Sequence, residues 1–201
     1  DWWEAIGTKE PKETHSAYPA AGKQKGAVTW RCKECHGWDY KGVSGAYAKG
    51  SHFTGIKGVD GMAGTDPSKI AALLRDRQHG YTAEQIPDDE LQRLAAFVSK
   101  GQHDTSAYID AATKKANGDV ENGHKLFQGV CAACHGFDGK SLNFGDDKEP
   151  EYVGTVAADN PWETLHKIRN GQPGTPMPAL RVFDIKNAVD VLSYAQTLPQ
   201  K

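Results

Sequence analysis

The sequence predicts an all-α protein made of two tandem helical units. Three observations carry this. The motif Cys-x-x-Cys-His occurs at 32–36 and again at 131–135, the two copies 99 residues apart. Downstream of the motifs the chain repeats itself at an offset of 94: Asp66-Pro67 matches Asn160-Pro161, Leu74-Arg75 matches Ile168-Arg169, and Gly80 matches Gly174. Neither copy lies in the apolar/polar alternation of a strand. Self-similarity of this kind marks two copies of one unit, and 201 residues suit two small domains.

Residues 1–20 have no counterpart in the repeat and form an extension. The first unit spans 21–101. A weak helix over 23–31 leads into the first motif, and a Gly-rich loop follows. A helix then opens at Asp66-Pro67, where proline suits the first turn. A second loop precedes a terminal amphipathic helix over 88–100, with Asp88 as its N-cap. Its apolar stripe is Leu91, Leu94, Ala95 and Val98, at i, i+3, i+4 and i+7. Residues 102–117 are polar and rich in small side chains, a linker with a short helix around 105–115. The second unit spans 118–201 and repeats the order. It closes on a helix over 184–198, with Asp184 as N-cap and Ile185, Ala188, Val189 and Leu192 as its stripe. The change of offset from 99 to 94 makes the loop after the first motif the longer one.

With 24 Lys+Arg against 26 Asp+Glu, the net charge is −2 and no large basic block is present. Nucleic acid is therefore not the expected partner. Mean hydropathy is −0.65, and no run approaches the ~20 apolar residues of a membrane span. The chain starts at Asp1-Trp2-Trp3 without an initiator Met, which fits a mature chain after removal of a leader and fits a trimmed chain as well.

All four cysteines, Cys32, Cys35, Cys131 and Cys134, lie in the two motifs. Cys-x-x-Cys-His is the attachment sequence of a c-type haem. Two thiols add to the porphyrin vinyl groups as thioethers, and a two-residue spacer on a helical turn sets the sulfurs at the right separation. The next residue, His36 or His135, then lies under the iron as proximal ligand. Two haems are thus expected. The competing readings are an all-cysteine zinc site and a redox dithiol. Zinc ribbons separate their pairs by ~15–20 residues, far less than the stretch from Cys35 to Cys131, and a thioredoxin-type dithiol needs a βαβ surround.

With these motifs, each half resembles the class I cytochrome c domain, wrapped around one covalent haem, and the pair resembles the tandem dihaem cytochromes of bacterial periplasms. The resemblance covers about 20–100 and 118–199. In the second half Gly123, Leu126, Phe127 and Val130 precede the motif at the family's spacing, with Gly123 and Phe127 expected against the terminal helix near Tyr194. The first half departs: its leading segment is weak and Trp30 replaces a small or aliphatic residue. The resemblance implies a periplasmic location and a carbonyl from Pro150 accepting from the His135 ring. The first half has no proline in that loop.

The sixth iron ligand decides between chemistry and electron transfer. In the second unit it is expected to be Met177, in the Pro-flanked loop Gly174-Thr175-Pro176-Met177-Pro178; prolines stiffen such a loop, and the family places its methionine there. The bland alternative is a core methionine filling a gap. The matching position of the first unit is Ala83, which cannot ligate. His79 is the residue favoured there, because it follows His36 by nearly the same reach as Met177 follows His135. Met62, His52 and an open site are the alternatives. His15, His103, His124 and His166 read as surface or helical residues, and Trp2 and Trp3 as packing or partner contacts. Arg75 and Arg169 are either partners of haem propionates or residues of a solvated helix face.

The expected function is transfer of single electrons between periplasmic redox partner proteins, with no catalytic residues of its own. The first haem is expected to be bis-His and of low potential, the second His/Met and of higher potential. The alternatives are a haem enzyme of the dihaem peroxidase or thiosulfate-oxidising type, and a haem subunit of an oxidoreductase complex. The thiosulfate-oxidising type is expected to need a further cysteine, which this chain lacks. Dihaem peroxidases are longer chains.

Overall fold

In the computed structural model, which describes Trp3 and residues 11–201, every regular element is helical. The β-type pairings among the described residues are two isolated bridges, Gly42 with Lys57 and Ile109 with Ala116. The all-α expectation holds. The backbone divides into two compact units, Asp1–His103 and Asp104–Lys201. Trp2 lies outside the described residues. No helix among them is long and apolar enough to cross a membrane.

In the first unit a single 3-10 turn, Gly26–Trp30, stands where a helix was expected, and it runs directly into α1, Cys32–His36. Helix α2, Pro67–Arg75, starts with Pro67 in its first turn and with the Asp66 carboxylate accepting from the Ser68 N–H at 2.8 Å. Helix α3, Asp88–Ala96, continues as a π-helical turn over Phe97–Gly101. Its predicted stripe is the core: Leu91, Leu94, Ala95 and Val98 are buried, with Ile70 and Ala71 of α2. Pro87, not Asp88, holds the N-cap position. The Asp88 carboxylate instead meets Arg75 at 2.8 Å. Trp3 is fully buried, its ring packing on Tyr40 (5.3 Å) and Phe97 (6.0 Å).

In the second unit α4, Val120–Leu126, is capped by Asp119, whose carboxylate accepts from the N–H of Glu121 and of Asn122. A π-helical turn, Phe127–Cys131, joins it to α5, Ala132–His135. Helix α8, Ile185–Ala195, crosses α4, and Asp184 caps it as expected through the Asn187 N–H (2.8 Å). The crossing is tight because residue 123 is glycine. A Cβ there would run into the Asp190 carbonyl oxygen. Phe127 then packs on Tyr194 at 5.4 Å.

Two elements differ from expectation. Residues 105–115 make one 3-10 turn, Thr105–Ala107, and then a reversal. The Asp110 carboxylate accepts from the N–H of Ala112 and Thr113 and from the Thr113 hydroxyl, an alternative to helical bonding that short polar side chains offer the backbone. Second, α6, Val153–Asp159, was not foreseen. It has seven residues, too few to display a helical period, and Asn160 separates it from α7, Pro161–Asn170, with an extended φ of −138°.

Candidate haem-binding sites

The two motifs fold alike beyond their five residues. Gly37 and Gly136 end their helices at φ 77° and 80°, a conformation open to glycine at little cost. The chain then folds back so that the Gly42 N–H reaches the His36 carbonyl (2.8 Å), and the Ser141 N–H the His135 carbonyl (2.9 Å). Asp39 and Asp138 each accept from the N–H two residues on, at 3.1 and 3.0 Å. The repeat His-Gly-aromatic-Asp-x-Lys was legible in the sequence but went unread. It is the turn that carries the chain away from each proximal histidine.

Burial pushes the Cys32 and Cys35 thiols up to about 12 and the Cys131 thiol up to about 11. Zinc sites and reactive dithiols need thiolates, which nearby cations or a metal stabilise. Here burial dominates, and for all three thiols the neighbouring charge is an acidic group or the other cysteine. Nor do three or more His, Cys, Asp or Glu side chains converge as a metal cage among the described residues. Cys32, Cys35 and Cys131 are partly exposed and Cys134 is exposed, each pair followed directly by its histidine.

The proximal rings differ in what holds them. His36 Nδ1–H donates to the Lys57 carbonyl at 2.8 Å, and the Gly42–Lys57 bridge holds that carbonyl in place. This contact, missed in the sequence, fixes the tautomer and leaves the lone pair on Nε2. Burial holds His36 below the ordinary imidazole range, so the ring is neutral. His135 is likewise lowered by burial, but its buried Nδ1 has no hydrogen-bond partner. The expectation that Pro150 supplies an acceptor is therefore not met. The Pro150 loop closes on itself instead, through Phe144 N–H to Glu151 O and Asp146 N–H to Glu149 O.

His79 leaves the C-terminal end of α2. The Asp76 carboxylate accepts from the N–H of Gln78 (2.8 Å) and of His79 (2.9 Å), a side-chain turn of the kind aspartate favours. The His79 ring donates from Nδ1 to the Leu73 carbonyl at 2.9 Å, with the Asp76 carboxylate 3.3 Å from the same nitrogen. The His36 and His79 rings lie with centroids 6.5 Å apart, inclined at 33°. His52 is occupied elsewhere: it stacks on Tyr47 at 4.9 Å and lies 3.7 Å from the Glu34 carboxylate. Met62 ends a 3-10 turn, Asp60–Met62, ahead of α2. The Trp3 ring lies 6.2 Å from that of His36.

Met177 is half-buried in the loop between α7 and α8. The loop is pinned at both ends. Arg181 donates twice to the Asn170 side-chain oxygen, at 3.0 and 2.6 Å, and the Leu180 N–H reaches the Ile168 carbonyl. Gly171 lies directly under the Met177 carbonyl, where a Cβ would collide at 2.7 Å. Arg169 donates to the Phe183 carbonyl at 2.8 Å. Its counterpart Arg75 donates to the carbonyls of Tyr81 (3.0 Å) and Ile86 (2.6 Å). Both arginines thus hold the loop that precedes the terminal helix, neither expectation for them having foreseen this. His15 and His166, expected near the surface, are buried. Helical spacing does not tell a buried histidine from a solvated one when its partners are distant in sequence.

Helical units around Cys-x-x-Cys-His motifs are the arrangement found in c-type cytochromes. Residues 118–194 match the family model for cytochrome c oxidase, cbb3-type, subunit III. That match covers the second motif and the Met177 loop, and this stretch is similar to a cytochrome c domain. Such domains bind haem c covalently and work in electron transfer.

Proposed function

We propose that this protein is a dihaem c-type cytochrome that passes single electrons between redox partner proteins in the periplasm. Cys32 and Cys35 hold the first haem, with His36 and His79 as its axial ligands. Cys131 and Cys134 hold the second, with His135 and Met177. The observation that carries this reading is the 6.5 Å spacing of the His36 and His79 rings. Two imidazoles bound through nitrogen at about 2 Å on opposite sides of one metal have ring centroids roughly 6 Å apart. Both rings spend Nδ1–H on a backbone carbonyl, which leaves each Nε2 available. When bound, the haem iron supplies a one-electron couple whose potential follows its axial ligands.

The chain's residues bias that couple differently in the two units. The Lys57 carbonyl draws on the His36 Nδ1–H and makes the ring a stronger donor. Together with a second imidazole this favours the oxidised state. His135 lacks such an acceptor, and thioether ligation raises the potential further. The first site is thus the low-potential one and the second the high-potential one. With side-chain donors at both sixth positions, a carrier is favoured over an enzyme. The test is electron paramagnetic resonance of the oxidised protein. Two low-spin ferric signals, one bis-imidazole and one His/Met, are expected; a high-spin signal at full occupancy would reject the assignment.

A further inference from the structure

The extension ahead of the first repeat reaches the loop that carries His79. His15 is 8% exposed, its backbone held by one contact and its ring orientation fixed by two more. Its own N–H donates to Thr29 Oγ1 at 2.8 Å. Its Nδ1 accepts from the Ala17 N–H at 3.0 Å. That places the proton on Nε2, which donates to the His79 carbonyl at 2.7 Å. Around this bond the His15 ring meets Trp30 edge-on at 4.3 Å and Tyr81 at 6.1 Å. Trp30 Nε1–H donates to the Glu13 carbonyl at 2.9 Å, and the Tyr81 hydroxyl donates to the Trp30 carbonyl. Trp30 stands two residues before Cys32, and Tyr81 two after His79. The extension therefore ties the start of the first haem motif to the distal loop.

We propose that His15 is a positioning residue that holds His79 at the sixth position of the first haem. This rests on the reading of His79 as a ligand. Nothing in the repeat supplies the same restraint: the second unit's loop is stiffened by Pro176 and Pro178, whereas residues 78–83, Gln-His-Gly-Tyr-Thr-Ala, contain no proline. Gly80, at φ 65°, adds backbone freedom immediately after the ligand. Hydrogen bonds take the place of proline: Asp76 accepts from the His79 and Gly80 N–H, Leu74 from the Tyr81 N–H, and Arg75 donates to the Tyr81 carbonyl, while the His79 carbonyl goes to His15. The His15–His79 bond anchors the loop at the ligand residue itself. The extension, absent from the second unit, is thus part of the first haem site.

The experiment compares His15→Phe, His15→Gln and His79→Ala in the haem-loaded protein, with carbon monoxide as the probe of the reduced first haem. Phenylalanine keeps the ring packing on Trp30 and Tyr81 and removes the donor; glutamine returns an amide N–H at similar reach. Expected is a roughly tenfold faster carbon monoxide binding for His15→Phe, the loss of one buried hydrogen bond, and recovery of the native rate in His15→Gln. The reduction potential of the first haem should rise in the phenylalanine variant and return in the glutamine one. A native rate in His15→Phe, alongside an opened first haem in His79→Ala, overturns the positioning role and leaves the ligand reading standing. Equal acceleration by both substitutions overturns the donor role. A low-spin first haem in His79→Ala overturns the ligand reading, and the proposal with it. Should His15→Phe fail to take up haem, His15→Asn, whose amide is too short to reach the carbonyl, serves in its place under the same outcomes.

Discussion

The His36 and His79 rings lie with centroids 6.5 Å apart, each ring anchored through Nδ1 to a backbone carbonyl, Lys57 for one and Leu73 for the other. If these rings share an iron, removing the distal one opens the coordination sphere. His79→Ala should turn the first ferric haem from low to high spin and let it bind cyanide. Magnetic resonance and cyanide titration read this directly. A response seen instead in Met62→Ala or His52→Ala would move the sixth ligand to that residue.

Met177 lies in a loop clamped by Arg181 and Asn170 and floored by Gly171. A methionine-ligated ferric c-haem has a weak charge-transfer band in the far red. Met177→Ala should abolish that band and lower the potential of the second haem only. A variant with the native absorption spectrum would return Met177 to the role of a packing residue.

The difference between the two proximal rings has its own consequence. His36 has a carbonyl acceptor and His135 has none, which separates the potentials in the same direction as the distal ligands do. A redox titration that resolves the two haems should give two steps, with the second unit reducing first. Each ~59 mV between them biases the electron tenfold. One unresolved step would remove the direction from the relay.

Gly123 permits the close crossing of α4 and α8. Gly123→Ala forces a methyl against the Asp190 carbonyl, and overpacking of this kind costs about 1–3 kcal/mol. The midpoint of chemical unfolding of the second unit should fall accordingly, with the spectrum of the first haem unchanged. Gly129, which has open space around its Cβ position, is the control: Gly129→Ala should leave the midpoint at or above that of the native protein.

Much of this was legible along the chain. The stripe Leu91, Leu94, Ala95 and Val98 is the core of α3, and Asp184 caps α8, because both are local patterns with a single physical reading. The weak segment ahead of the first motif became one 3-10 turn. The short α6 was invisible, because seven residues cannot display a period against their flanking loops.

The sequence by itself carried the attachment reading: the spacing of Cys32, Cys35 and His36, and of their counterparts, is that of thioether attachment with a proximal imidazole, a pattern made of neighbours in the chain. It also pointed to His79 through reach along the repeat. What only the tertiary structure decided was how His36 and His79 are held. Lys57 lies 21 residues from His36, and His15 lies 64 from His79. Backbone carbonyls carry no side-chain signature, so their choice as acceptors leaves no mark in the sequence. Burial raises the Cys32, Cys35 and Cys131 thiols and lowers the His36 and His135 imidazoles. That depends on which groups are packed around a residue and not on which precede or follow it.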